Sequence, residues 1–228
     1  MSDHATRNSQ ARMVASALTW PVEKSKLLFQ ASHPVSSFWK LPLRQHVLGM
    51  VSSSLQRGGS AFLMFYTQSK LSNVLHSTTS SPVVNQSLAG ALGGTVSAPF
   101  HTYWELIKVR GTLPSFKIYH LSLVPMLFRH GVFDGTFFAV HALCPSDYGS
   151  GVRFAASAAT ASFTNLVFDV WKTRGMQEFP KHVRFRAVVK SLPPRVFLAN
   201  YVVKGAELST NWFVVGCIKD HCFTAGDD

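Results

Sequence analysis

Pro21-Val22-Glu23-Lys24-Ser25-Lys26-Leu27-Leu28-Phe29-Gln30 sets an acid three residues before a base, directly behind the small-residue apolar stretch Met13–Trp20. Two later segments repeat the pattern. Tyr103-Trp104-Glu105-Leu106-Ile107-Lys108-Val109-Arg110 follows the stretch Leu88–Phe100. Val167-Phe168-Asp169-Val170-Trp171-Lys172-Thr173-Arg174 follows Phe154–Val167. Acid and base at i, i+3 are neighbours on a helix, so a single copy reads as a local pair. Three copies in matching context read as an internal repeat. In a threefold bundle each acid can instead meet the base of the next repeat. Glu23, Lys26, Glu105, Lys108, Asp169 and Lys172 would then form a ring of ion pairs closing one end of a cavity. Individually modest pairs let such a ring open and close at accessible cost.

A second echo follows each copy. An aromatic-basic step precedes an arginine at the start of another apolar helix: Trp39-Lys40 before Arg57, Tyr119-His120 before Arg129, and Phe185-Arg186 before Arg195. Two helices per repeat give six, expected at 8–30, 46–76, 83–110, 122–145, 149–176 and 187–214. The repeats then run over 8–76, 83–145 and 149–214, with a polar tail over 215–228.

Composition narrows the class. Charged residues make up 14% of the chain, against roughly 25% in ordinary soluble domains. Hydrophobic residues reach 46%, yet no uninterrupted apolar run has the length of a spanning helix. Val83–Tyr103 and Phe154–Trp171 are long but salted with Ser, Thr, Gly and Asn. Small and hydroxylated residues of this kind let membrane helices approach closely. A buried core helix of a soluble protein satisfies the same pattern.

The net charge of +11 raises a nucleic-acid partner. No basic run, zinc-finger spacing or aromatic RNA-binding motif supports one, and basic helix ends facing anionic lipid explain the charge more economically. Three cysteines without a Cys-x-x-Cys, and ten scattered histidines, argue against a disulfide framework or a metal centre. No phosphate-binding glycine loop or nucleophile triad is present, so no enzyme is expected. Met1–Arg12 is polar and lacks the apolar core of a secretory signal.

These motifs resemble the mitochondrial carrier family, whose signature is Pro-x-Asp/Glu-x-x-Lys/Arg at the end of each odd-numbered helix. Pro21–Gln30 matches in full, while Tyr103 and Val167 replace the proline in the other two copies. The resemblance implies an all-α membrane protein: a six-transmembrane-helix carrier fold with threefold pseudosymmetry, multi-pass in the mitochondrial inner membrane. It implies that the three acid-base pairs form the matrix-side network, that Gln30 braces it and that Pro21 kinks the first helix. It sets Arg57, Arg129 and Arg195 near the substrate-contact positions, where guanidinium groups favour a small anionic solute. It also sets Trp39, Lys40, Tyr119, His120, Phe185 and Arg186 where carriers hold cardiolipin. No other cofactor is implied.

The departures from the family carry equal weight. Lys108 and Arg129, and likewise Lys172 and Arg195, stand barely one span apart, so the matrix loops are trimmed. Tyr66–Lys70, Phe137–His141 and Tyr201–Glu207 offer no second ion-pair ring. Alternating access needs two gates of comparable strength. The expected function is therefore a carrier-derived structural or accessory subunit of a larger inner-membrane complex, such as a respiratory-chain complex. The alternative is a working carrier that exchanges a small anion.

Overall fold

Proline at position 21 sets the first break in the chain. It has no N–H to give to the carbonyl of Ala17, and its ring crowds that turn. In the computed structural model, which describes residues 2–30, 39–40, 42–76, 81–110, 114–177 and 183–222, helix α1 (Ser2–Leu18) stops there. Helix α2 (Trp20–Gln30) resumes after Thr19. Thr19 holds the junction: its hydroxyl donates to the Ala15 carbonyl at 2.8 Å, and its own carbonyl accepts from the backbone N–H groups of Val22 and Glu23.

Six further helices follow: α3 (Leu43–Leu75), α4 (Pro82–Arg110), α5 (Phe116–Leu143), α6 (Ser150–Gln177), the short α7 (Phe185–Lys190) and α8 (Pro194–Cys222). The described residues are all helical or irregular, with no strand. The long helices pack in chain order, α1 on α3, α3 on α4, α4 on α5, α5 on α6 and α6 on α8, and α8 returns to α1 to close the ring.

Four expected boundaries move by six residues or more. The first helix begins at Ser2 rather than at 8. Helix α5 begins at Phe116, a turn and a half before the expected residue 122. The last helix begins at Pro194 rather than 187. The Pro193-Pro194 pair ends any helix running on from Phe185, and Pro194 then occupies a first-turn position that proline tolerates. The same helix continues to Cys222, so 215–222 is no polar tail: Val215 is buried and Gly216 lies on the backbone of Gly151 in α6. Pro99, inside α4, is a proline that lies outside the repeated motif.

The inner faces follow helical spacing. On α1 they are Ala5, Asn8, Ala11, Arg12, Ala15 and Ser16; on α8, Lys204, Glu207, Leu208, Asn211, Trp212 and Val215. At Gly216 a Cβ would come within 2.4 Å of the Gly151 backbone, which cannot yield. Gly216→Ala is expected to cost about 1–3 kcal/mol by overpacking. Gly175, with nothing within 4 Å, is the matched control. Gly175→Ala should be neutral or slightly stabilising, because alanine is the better helix former. Chemical unfolding of the two variants checks the contrast.

Polar and apolar residues are distributed in an unusual way. Glu23, Glu105, Asp134, Asp169 and Glu207 are all at most 5% exposed, and Lys204 is completely buried. Acids and lysines are almost never buried in soluble proteins unless paired. The outer faces carry apolar stripes instead: Leu48, Val51, Leu55, Phe62 and Tyr66 on α3, and Val84, Leu88, Leu92 and Val96 on α4. Among the described residues no helix is long and apolar enough to cross a membrane. The inward-facing polar residues lower the mean hydropathy of each helix while leaving its outer stripe intact.

Candidate functional site

Glu23 reaches the bundle interior because the chain turns at Thr19, and three elements meet it there. Lys108 of α4 approaches its carboxylate at 2.7 Å and Arg57 of α3 at 3.1 Å, while the Ser53 hydroxyl donates to it. Glu105, one turn before Lys108, accepts from Lys108 at 2.8 Å and from Lys172 of α6 at 2.9 Å. Asp169, one turn before Lys172, stands 3.7 Å from it. It also pairs with Arg129 of α5 at 3.1 Å and with Lys204 of α8 at 3.5 Å. Bases thus reach across to the acid of the preceding repeat, as Lys108 to Glu23 and Lys172 to Glu105, and also touch their own acid. The side chains of Lys26 and Gln30 lie outside the described residues.

Arg57 extends the network to α8, where it pairs with the fully buried Glu207. The structure brings Arg57 and Arg129 to the same interior as the acids. Arg195 does not join them; it is exposed in the first turn of α8. The late helix start accounts for this: the level that Arg195 was expected to occupy is held by Lys204 and Glu207, two and three turns further along.

The brace seen in the structure is Gln56. Its amide nitrogen donates to Glu105 at 2.8 Å and to the His101 carbonyl at 3.2 Å. Its amide oxygen accepts from Lys108 at 2.9 Å. No spacing in the sequence singles it out, because its role depends on α3 meeting α4. Beside it, the His130 Nδ1–H donates to the Asp134 carboxylate over 3.1 Å while its Nε2 accepts from Arg129 over 3.0 Å, and its ring lies edge-on to His101 with centroids 4.5 Å apart. These groups surround a cavity of about 70 Å³. That holds a few waters; small-molecule sites ordinarily take about 300 Å³ or more.

An aromatic layer covers the network on the side away from α2. Phe137 packs against Trp212, Phe138, Phe154 and Phe133, with centroids between 4.6 and 6.1 Å. Arg12 lies over the Trp212 ring at 3.8 Å. Phe65 of α3 meets Phe138 and Trp212 edge-on, with centroids 5.7 and 6.3 Å away. The rings thus come from α3, α5, α6 and α8, so no local motif announced the layer.

The aromatic-basic steps all sit at the network end. Trp39 and Lys40 are exposed on a short turn before α3. Tyr119 donates to the Pro99 carbonyl at 3.3 Å, and the exposed His120 rests against Phe116. Phe185 packs on Phe168 and Trp171, with Arg186 exposed beside it. In comparison with known proteins, the chain matches no protein-family model and no curated protein.

Proposed function

We propose that the chain is a carrier-derived integral protein of the mitochondrial inner membrane that serves as a structural, accessory subunit of a larger complex. The observation that carries this reading is the filled interior. Opposite charges occupy the bundle axis in contact with one another, the space between them amounts to about 70 Å³, and a packed aromatic layer covers it. A solute path needs room that this arrangement does not leave.

Membrane residence is supported by the inverted distribution of residues. The apolar stripes of α3 and α4 suit lipid tails or neighbouring subunits, and helices of 28–33 residues exceed the roughly 20 needed to span. Charge is segregated as well. Lys40, Arg44, Lys117, Arg184, Arg186 and Lys190 are exposed at the network end, with no exposed acid beside them among the described residues. Such a collar favours anionic headgroups and, by the positive-inside rule, the matrix side. The mitochondrial assignment rests on the carrier-like motifs alone.

The chain is expected to remain in the membrane pellet at alkaline pH and to co-migrate with a larger complex on a native gel. Release at alkaline pH would remove the membrane reading, and migration as a free monomer would remove the subunit reading. A second reading, exchange of a small anion, is favoured by Arg57 and Arg129 on the central cavity. Reconstituted exchange that disappears in Arg129→Ala would establish it in place of the first.

A further inference from the structure

The end of the bundle opposite the network holds a larger space. It is a pocket of about 290 Å³ that shares no lining residue with the central cavity. Its basic wall comes from α6 and α8 through Arg153 and Lys219, with His141 of α5 beside them. Its amide wall comes from α1, α3 and α4 through Asn8, Gln68 and Gln86, the two glutamines being hydrogen-bonded to each other. Phe65, Phe138 and Phe154 also line it and belong to the aromatic layer below.

We infer that this pocket binds an oxyanion, a phosphate or carboxylate group carried by a small organic molecule or by a lipid headgroup. Both ionisable residues with fixed charge on the lining are cationic, and no acid lines it. Asp220, next to Lys219 in the chain, accepts the backbone N–H of Ser150 at 3.1 Å and caps the start of α6, and its charge also acts on Lys219. Arg153 is held in place by donating one guanidinium N–H to the His141 carbonyl at 3.1 Å, and its buried Nε–H makes no hydrogen bond to the protein. The buried Nδ1 of His141 makes none either. A buried donor without an acceptor is costly, and a small turn of the Arg153 side chain would bring its Nε–H to an oxyanion in the pocket. Lys219 adds a second charge over the Phe154 ring, 5.7 Å from its centroid. Half-buried cations grip oxyanions more strongly than exposed ones do, and a guanidinium offers two parallel donors.

The volume lies at the lower end of ordinary ligand sites. It admits a phosphate with a small organic group attached, and the amide wall offers donors and acceptors to that group. The floor is closed: Phe137 and Trp212, at 0% and 2% exposure, stack between this pocket and the network. The anion therefore docks at the mouth without passing through. This assignment stands apart from the subunit reading, since a free bundle would bind equally well.

The test uses the full chain purified in a neutral detergent. Inorganic phosphate and AMP are titrated while thermal unfolding is followed, and equilibrium dialysis measures AMP binding directly. A parallel arm reconstitutes the chain in phosphatidylcholine vesicles with and without phosphatidate. The expected result is stabilisation by at least one of the three probes. It should weaken about tenfold or more in Arg153→Gln/Lys219→Gln, weaken less in Arg153→Lys, which keeps the charge and loses the paired donors, and persist in Lys70→Ala, which alters an exposed lysine outside the pocket. Stabilisation by phosphatidate alone assigns the oxyanion to a lipid headgroup; stabilisation by phosphate or AMP assigns it to a soluble ligand. If wild-type protein responds to none of the probes, or if the folded double variant responds as wild type does, the site does not exist.

Discussion

Asp169→Ala lowers the stability of the bundle by about 3–5 kcal/mol, the cost of breaking a buried pair and leaving its partner charged. Asp169 is the largest single lever in the network because Arg129, Lys172 and Lys204 converge on it from three helices. Without it, cations from α5, α6 and α8 face one another in a buried space. Lys172→Met is expected to cost less, since Glu105 keeps Lys108 and Gln56. Asp169→Asn should fall between the two, keeping two hydrogen-bonding atoms and losing the charge. Thermal or denaturant unfolding of the three variants in detergent ranks them. A loss below about 1 kcal/mol for Asp169→Ala would mean that the pairs behave as solvated surface bridges, and the picture of a closed interior would fail with it.

The three acid-base segments were legible because each is local: a carboxylate and an amine three residues apart need only a helix to become neighbours. The same pattern located Glu23 and four further charges that the structure gathers, Glu105, Lys108, Asp169 and Lys172, and the aromatic-basic echo located Arg57 and Arg129. Arg195 was misplaced by a register argument. Counting from the aromatic-basic step at Phe185 ignores the two prolines that end α7 and restart the chain at Pro194. The helix then presents Lys204 and Glu207 inward, residues seen in the sequence only as fragments of an absent second gate.

Other features had no local signature at all. Gln56 matters because α3 crosses α4 where Glu105 and Lys108 sit. The outer stripes of α3 and α4 are diluted, in any hydropathy window, by the inner faces Ser53, Gln56, Arg57, Asn85, Ser97, Thr102 and Glu105. Averaging along the chain mixes two surfaces that folding separates. For such a helix the exposure of each face is the informative quantity, and that becomes available only once the ring has closed.

Phe137→Ala is expected to cost about 3–5 kcal/mol, as truncations of buried aromatic side chains do, and also to connect the two cavities. Phe137 is fully buried and touches rings from α5, α6 and α8, which are too rigid to fill the gap that it leaves. Stability alone would not separate a plug from ordinary packing. Ser60, 7% exposed on the central cavity, provides the second readout. In a chain whose Cys144, Cys217 and Cys222 are replaced by serine, Ser60→Cys should react slowly with a water-soluble maleimide and faster once Phe137→Ala is added. Phe163→Ala, which removes an exposed outward ring, should leave the labelling rate unchanged. Fast labelling of Ser60→Cys with Phe137 intact would show that water already crosses the aromatic layer, and the anion pocket would then be the vestibule of a continuous path rather than a closed site.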